Sequence, residues 1–478
     1  MKLKNSDITL LCKVVDNYGD IGVVFRLAKA LSVLLPDEGA GLRLIVDNLT
    51  SFAQLSPGVD VSKPIQEHRG WTVCKWDAAD KGRAMFVETP PLVILECFAC
   101  GRPEWLDDNL FDKSLQALRP KPVQIINLEY LTAEPYADEF HKLKSLTRSA
   151  QVRKVNFMPG FTDKTGGLIL DGVPLAAGGS LVSGGSGCCS GGALVGGDNT
   201  HAPQNFGTPA AGSEVPVLHG SCSIGDREKP FTVLVFSYER DFSTIADALA
   251  IYAANGSPLT APATEKPQNT AHTSSANLRV LVAAGKADAP FSAAWTKCTD
   301  RKKKSGTLVL PSPEKLAFLP QDEWDKMLYS ADFLFIRGED SLSRACLSGK
   351  PFVWHAYPQS EMYHLVKVRA LLDRMEPFFS AENFRLIRYY WLWYNGDEPL
   401  AENGAPGTQH QAEKAASGGD TNANAQIAPS KAYDSRAALI NILSRYDEMQ
   451  KSFIAFSKNL VKNGNLAEHL MTFINEIV

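Results

Sequence analysis

The chain has 478 residues, 44% of them hydrophobic and 21% charged, which exceeds a single core and implies at least two domains. Forty-nine basic against fifty-three acidic residues leave a formal charge of −4, so no global electrostatic reason exists for a nucleic-acid or anionic-membrane partner. The first residues lack the apolar run and small-residue cleavage site of a signal peptide, and no uninterrupted apolar stretch of about 18 residues could span a bilayer, so a cytoplasmic protein is expected.

Residues 8–15 form a β-branched, apolar run that predicts a buried strand, followed by a polar turn at 16–20. Ile21, Val24, Phe25, Ala28, Leu31 and Leu35 then recur at helical spacing, with Asp20 placed to cap the helix and Pro36 to end it. Further strands are predicted at 42–46, 71–76, 92–97 and 123–128, alternating with shorter helical patterns, of which 137–147 is the clearest. That alternation predicts a doubly wound, mainly parallel α/β sheet. Nine cysteines are an odd count, and Cys12, Cys97 and Cys346 lie in apolar runs, as reduced buried thiols do. Cys97-Phe-Ala-Cys100 stands without a second pair at metal-ligand spacing and reads as a strand end, with no metal site expected.

Residues 171–229 are crowded with Gly, Ser, Ala and Pro, which predicts a flexible insertion; no Gly-Lys-Ser/Thr follows the run at 184–192 to make it a phosphate loop. A second α/β domain begins near 230, with strands predicted at 231–236, 278–283, 307–310, 333–336 and 352–355. Residues 255–275 and 399–432 read as polar loops, and 435–477 as helices whose Leu439, Leu443, Phe453, Phe456, Leu460, Leu466, Leu470 and Phe473 face a core. Two α/β domains with a helical end suit a glycosyltransferase of the GT-B type, a dehydrogenase or a binding protein. The first strand ends in Asp-Asn-Tyr-Gly-Asp-Ile-Gly rather than Gly-x-Gly-x-x-Gly, which removes most support for a nicotinamide cofactor.

Ligands of open parallel sheets bind beyond the carboxyl ends of the strands, where the turn at 16–20 lies. Asp16 and Asp20 flank Gly19 there; each carboxylate could accept a proton, and Asp20 could equally be only a helix cap. In the second domain, the strand ending at Ile336 runs into Arg337-Gly338-Glu339-Asp340-Ser341 and then a helix. A helix N-terminus beside an arginine suits a diphosphate, whereas Glu339 and Asp340 suit sugar or ribose hydroxyls or the orientation of Arg337. Tyr357 could donate to a phosphate, and His355 reads as a structural residue or a general base. Phe236, Tyr238 or Phe318 could stack on a base whose edge Gln321 reads.

Val14-Val-Asp-Asn-Tyr-Gly-Asp-Ile-Gly22, Phe157-Met-Pro-Gly-Phe-Thr-Asp-Lys-Thr-Gly-Gly167, Arg337-Gly-Glu-Asp-Ser341 and Gly349-Lys-Pro-Phe-Val-Trp-His-Ala-Tyr-Pro-Gln359 together resemble the EarP family of bacterial protein-arginine rhamnosyltransferases. The resemblance implies a GT-B fold, two Rossmann-like domains facing a cleft, arranged as 1–170 on the acceptor side, an insertion at 171–229, a nucleotide-sugar domain at 230–398, an insertion at 399–432 and C-terminal helices at 433–478. It implies inverting transfer of rhamnose from dTDP-β-L-rhamnose to an arginine of translation elongation factor P, without a metal or other cofactor. Carried over by motif, Asp20 is the general base with Asp16 beside it, and Glu339 a second required acid. Asn17, Tyr18 and Gly19 line the cleft opposite the donor, and Tyr238, Phe318, Gln321, Arg337, Asp340, Ser341 and Tyr357 hold the nucleotide or its diphosphate. Lys142, Lys144, Arg148, Arg153, Lys154 and Lys164 read as a patch for an acidic protein partner or, for the first three, as a solvated helix face. The alternatives are a GT-B transferase for another nucleotide sugar with a small-molecule or glycan acceptor, and a non-catalytic GT-B binding module.

Overall fold

A computed structural model describes residues 7–14, 18–35, 42–173, 229–255, 277–304, 310–397 and 434–478. The first domain is built on an eight-stranded sheet ordered β3-β4-β2-β1-β5-β6-β8-β7, from β1 (Ile8–Cys12), β2 (Arg43–Val46), β3 (Ile65–His68), β4 (Trp71–Lys75), β5 (Val93–Cys97), β6 (Val123–Leu128), β7 (Lys144–Ser145) and β8 (Val152–Phe157). Every pair is parallel except the two edges, where β3 and β7 run antiparallel to β4 and β8. Strands β1, β2, β5 and β6 are buried throughout, as central strands covered on both faces must be. The second sheet is wholly parallel, ordered β11-β10-β9-β12-β13, from β9 (Phe231–Val235), β10 (Leu278–Ala283), β11 (Glu314–Leu316), β12 (Phe333–Arg337) and β13 (Phe352–His355).

Helix α1 (Gly19–Leu34) covers the first sheet. It is followed in the first domain by α2 (Leu49–Leu55), α3 (Ala79–Glu88), α4 (Glu104–Phe111), α5 (Lys113–Leu118) and α6 (Tyr136–Phe140). The second domain carries α7 (Ser243–Asn255), α8 (Asp288–Lys304), α9 (Gln321–Ser330), α10 (Glu339–Ser348), α11 (His364–Met375) and α12 (Ala381–Tyr394). The chain ends with α13 (Ser435–Ser444), α14 (Tyr446–Lys462) and α15 (Leu466–Ile477). The first two of these pack on the second domain's core, but α15 crosses back: Leu466, Leu470, Phe473 and Ile474 join the core that includes Ile8, Val24 and Phe25. Each such side chain contributes about 1.5–3 kcal/mol when buried, so the tail ties the two domains together. Two Rossmann-like domains with the carboxyl ends of their sheets facing a common cleft constitute the GT-B architecture.

The boundaries differ in detail from the expectations. Phe161 and Leu168, within the expected first domain 1–170, pack into the second domain's core, as does Val173 from the start of the expected insertion. The helix expected over 137–147 ends at Phe140, because Lys142 takes a left-handed φ of 62° and Lys144–Ser145 turn back to pair with Lys154 and Val155. Lys142, Lys144 and Arg148 therefore do not share a helix face. The expected C-terminal helices are three, separated at Arg445 and at the Asn463–Asn465 turn. Residues 307–309 of the strand expected at 307–310 fall outside the described residues, as do most of the segments 171–229 and 255–275 and all of 399–432. Among the described residues no helix is long and apolar enough to cross a membrane.

Candidate active site

A cavity of about 380 Å³ lies between the domains, at the carboxyl ends of β1, β9, β10 and β12. Tyr18, Gly19 and Gly22 from the start of α1 form one wall. Phe236, Tyr238, Gly285, Lys286, Phe318, Gln321, Trp324 and the run Arg337-Gly-Glu-Asp-Ser341 form the other. Topology explains this convergence: β9 and β12 are neighbours in the sheet, so residues 236–238 and 337–341 emerge side by side although about a hundred positions apart.

The second-domain wall is shaped for an anion. Gly338 holds φ at 76°, a value costly for other residues, and turns β12 directly into α10, leaving the first-turn amides of that helix at the cavity. The Arg337 guanidinium lies between two aromatic rings, 4.7 Å from the centroid of Phe236 and 4.6 Å from that of Tyr238. Its Nε is buried without a hydrogen-bond partner, as is Oε1 of Gln321, so both point to a polar ligand. Ser341 Oγ accepts from Trp324 Nε1 at 3.2 Å, and Trp324 packs edge-on against Phe236 at 4.8 Å. Phe318 is half exposed and sits 4.6 Å from Tyr18 across the cleft.

The domains are clamped beside the cavity by an ion-pair cluster. Arg26 in the middle of α1, 3% exposed, donates from Nη1 and Nη2 to Asp325 at 2.6 and 2.9 Å, and from Nε and Nη2 to Asp340 at 2.7 and 2.8 Å. Burial opposes charge on Asp340, yet the Arg26 guanidinium overcomes this and holds the carboxyl below its usual range. Gln321 Nε2 donates to the Gly22 carbonyl at 2.7 Å, a further bond between α1 and α9 beside the cluster. Asp340, expected at the nucleotide, thus lines the cavity while bonded across the cleft.

Asp20 is not the cap of α1. The helix starts at Gly19 with Tyr18 at the N-cap, which makes no side-chain cap bond, and Asp20 lies within the first turn, 5% exposed. Its Oδ1 accepts from the Tyr130 hydroxyl at 3.2 Å. Glu339 Oε2 accepts from the Leu131 amide at 3.2 Å, so carboxylates from the two domains meet around adjacent residues of the loop after β6. Burial first, and then the Asp20 and Glu339 carboxylates, push the Tyr130 phenol above its ordinary range. Among the described residues, Asp20 and Tyr357 lie outside the cavity lining; Tyr357 is exposed and edge-on to Tyr238 at 5.5 Å. Asp16 and Asn17 fall outside the described residues.

His355 does not reach the cavity. Its Nδ1 bonds the Ser237 hydroxyl at 2.8 Å, and that hydroxyl also meets the Tyr394 hydroxyl at 2.8 Å, while burial pushes the imidazole down to about 3. The ring is a neutral structural group. Cys97 and Cys100 are free thiols, and among the described residues no His, Cys, Asp or Glu group could hold a metal. Lys286, Trp324, Arg26 and Tyr130 were not anticipated. Gly285-Lys286 follows a predicted strand directly and was within reach of the strand-end argument; the other three offered no local signal.

The sequence model of the family described as "Elongation-Factor P (EF-P) rhamnosyltransferase EarP" matches residues 8–475. A protein-arginine rhamnosyltransferase of Pseudomonas putida is 30% identical over 410 residues, covering 84% of this chain and 90% of that protein. One from Neisseria meningitidis serogroup B is 29% identical, over 82% of this chain and 85% of that protein. Among solved structures, one described as "Structural basis for EarP-mediated arginine glycosylation of translation elongation factor EF-P" aligns at a TM-score of 0.44 and 18% identity, covering 98% of this chain and 99% of that one. The spinosyn rhamnosyltransferase SpnG complexed with thymidine diphosphate aligns at 0.39 and 10% identity, over 98% and 99% of the two chains.

Proposed function

The chain belongs to the EarP family of Elongation-Factor P rhamnosyltransferases, and from that premise we propose that it transfers rhamnose from dTDP-β-L-rhamnose to an arginine side chain of translation elongation factor P. The observation that carries the reading onto this chain is the pairing of unlike walls in one cleft: an arginine and a helix N-terminus on one side, and a carboxylate pair drawn from both domains beside them.

The chemistry demands that pairing. A guanidinium is protonated at any physiological pH, with a pKa above about 12, so its nitrogens have no free lone pair for attack. Carboxylates of Asp20 and Glu339 bind the cation and orient one nitrogen towards the anomeric carbon. As the C–N bond forms and the bond from that carbon to the diphosphate oxygen breaks, Asp20 takes the proton that the nitrogen sheds. A single displacement inverts the anomeric centre without an enzyme nucleophile. Arg337 and the amides of α10 stabilise the charge that accumulates on the departing dTDP. The base stacks among Phe236, Tyr238 and Phe318, and Gln321 Oε1 is placed to accept from its edge. Asp16, Asn17, Tyr18, Gly19, Ser341 and Tyr357 complete the substrate contacts in this reading.

Incubation with dTDP-β-L-rhamnose and the elongation factor, followed by intact-mass measurement, tests the function. The expected result is a gain of one deoxyhexose on the factor, mapped to an arginine. No gain with folded enzyme overturns the assignment. Stabilisation by UDP or GDP in place of dTDP in a thermal shift would point to another donor.

A further inference from the structure

Residues 130 and 131 do two things at once. The Tyr130 side chain donates to Asp20, which comes from α1, and the next backbone amide, that of Leu131, donates to Glu339, which comes from α10. The loop is itself held fast. Phe98, in the left-handed region at φ 62°, stacks almost flat on the Tyr130 ring at 4.6 Å and 19°, and Thr132 forms a bridge with Gly160. A φ of that kind at a phenylalanine costs about 1–3 kcal/mol and persists only where surrounding structure enforces it.

We propose that Tyr130 is a positioning residue for the transfer: with the Leu131 amide it forms a clasp that holds the Asp20 and Glu339 carboxylates, one from each domain, at the spacing an incoming guanidinium needs. The inference rests on the rhamnosyl-transfer reading and deepens it. Two carboxylates converging on one point repel each other and would splay or take up a proton. A hydroxyl and an amide that donate to them reduce that cost in advance, so less reorganisation is left to the reacting complex. The clasp is also a register mark between domains, because its two bonds end on different domains. Among the described residues, titratable groups bear on Asp20 from several elements. The Cys12 and Cys97 thiols from β1 and β5 are pushed well above their ordinary range by burial and stay neutral, Tyr130 faces it from the loop after β6, and Glu339 approaches through Tyr130 from α10.

The test is the full-length enzyme with Tyr130→Phe, which keeps the ring on Phe98 and deletes only the donor, assayed at neutral pH for kcat and both KM values. At neutral pH kcat should fall about tenfold, as a loss of about 1.4 kcal/mol implies, with KM for dTDP-β-L-rhamnose unchanged. A fall in kcat matched by an equal loss of donor affinity or by a lower melting temperature marks a purely structural role and overturns the clasp, as does a kcat equal to that of the wild type. A thermal melt matching the wild type shows that the variant is folded. Transfer absent from the wild type overturns the underlying reading instead, so the two failures are distinct.

Discussion

The two walls of the cleft are built by the same device and end differently. In each, a buried parallel strand is followed by a helix with acid in its first turn: β1 by α1 with Asp20, and β12 by α10 with Glu339 and Asp340. At the second wall a cation precedes the helix, Arg337, held between two aromatic rings, and Gly338 aims the first-turn amides at the cavity. At the first, the acid is turned away from capping and is held by Tyr130. A helix N-terminus with an arginine in front suits an anionic leaving group, whereas one whose acid is anchored sideways suits a cationic acceptor. Strand-turn-helix geometry therefore marks where ligands bind, and the residue beside the turn decides which charge.

The sharpest way to break this contrast is to neutralise the acid. Asp20→Asn keeps size and loses the proton acceptor, so kcat should fall by about 10²–10⁴-fold, measured as the initial rate of mass gain on the factor. Normal turnover in that variant would move the base to Asp16 or Glu339. The next largest effect concerns the clamp that sets the walls facing each other. Arg26→Met leaves Asp325 and Asp340 buried without their cation, and should destabilise the fold by about 3–5 kcal/mol in urea unfolding. An unchanged midpoint would mean that the domains are held by packing alone.

Arg337→Lys keeps the charge of the donor-side wall but loses the planar fork and its stacking between Phe236 and Tyr238. KM for the donor should rise about tenfold while the acceptor KM stays put. The smallest effect separates the cleft from the core behind it. His355 is held neutral in the fold at about 3, well below an unfolded histidine near 6.5, so the unfolded chain binds the proton first as pH falls. Its contribution to stability is full above about pH 6.5 and is lost towards about pH 3, amounting to about 2 kcal/mol by pH 5. Thermal melts at pH 7.5 and 5 should therefore diverge less in His355→Gln than in the wild type, while kcat at neutral pH stays where it was.

The contrast also shows which parts of the molecule were legible in the sequence. Strands β1, β9 and β12 announce themselves as apolar runs, and the turn-helix segments after β1 and β12 carry the motifs that mark the cleft, because a site at a strand end is local in sequence. Tyr130 is not local: only the order β1-β5-β6 in the sheet brings the loop after β6 beside α1. Arg26 reads as a polar residue on an amphipathic helix and is buried because the face it occupies meets another domain. The helical period over 137–147 fails for a local reason: Lys142 takes a left-handed φ, and Lys144–Ser145 pair with β8 across a hairpin that overrides it. The sequence allows Asp20 to be either a cap or a proton acceptor, and Tyr18 at the N-cap removes the first.

The division of labour between the walls is tested most directly by calorimetric titration of dTDP into the wild type, Asp20→Asn and Arg337→Ala. The account predicts that Asp20→Asn binds dTDP within about twofold of the wild type, and that Arg337→Ala weakens it by about 10–100-fold, the worth of a charge-assisted hydrogen-bond pair. A dTDP affinity lost in Asp20→Asn and kept in Arg337→Ala would contradict it.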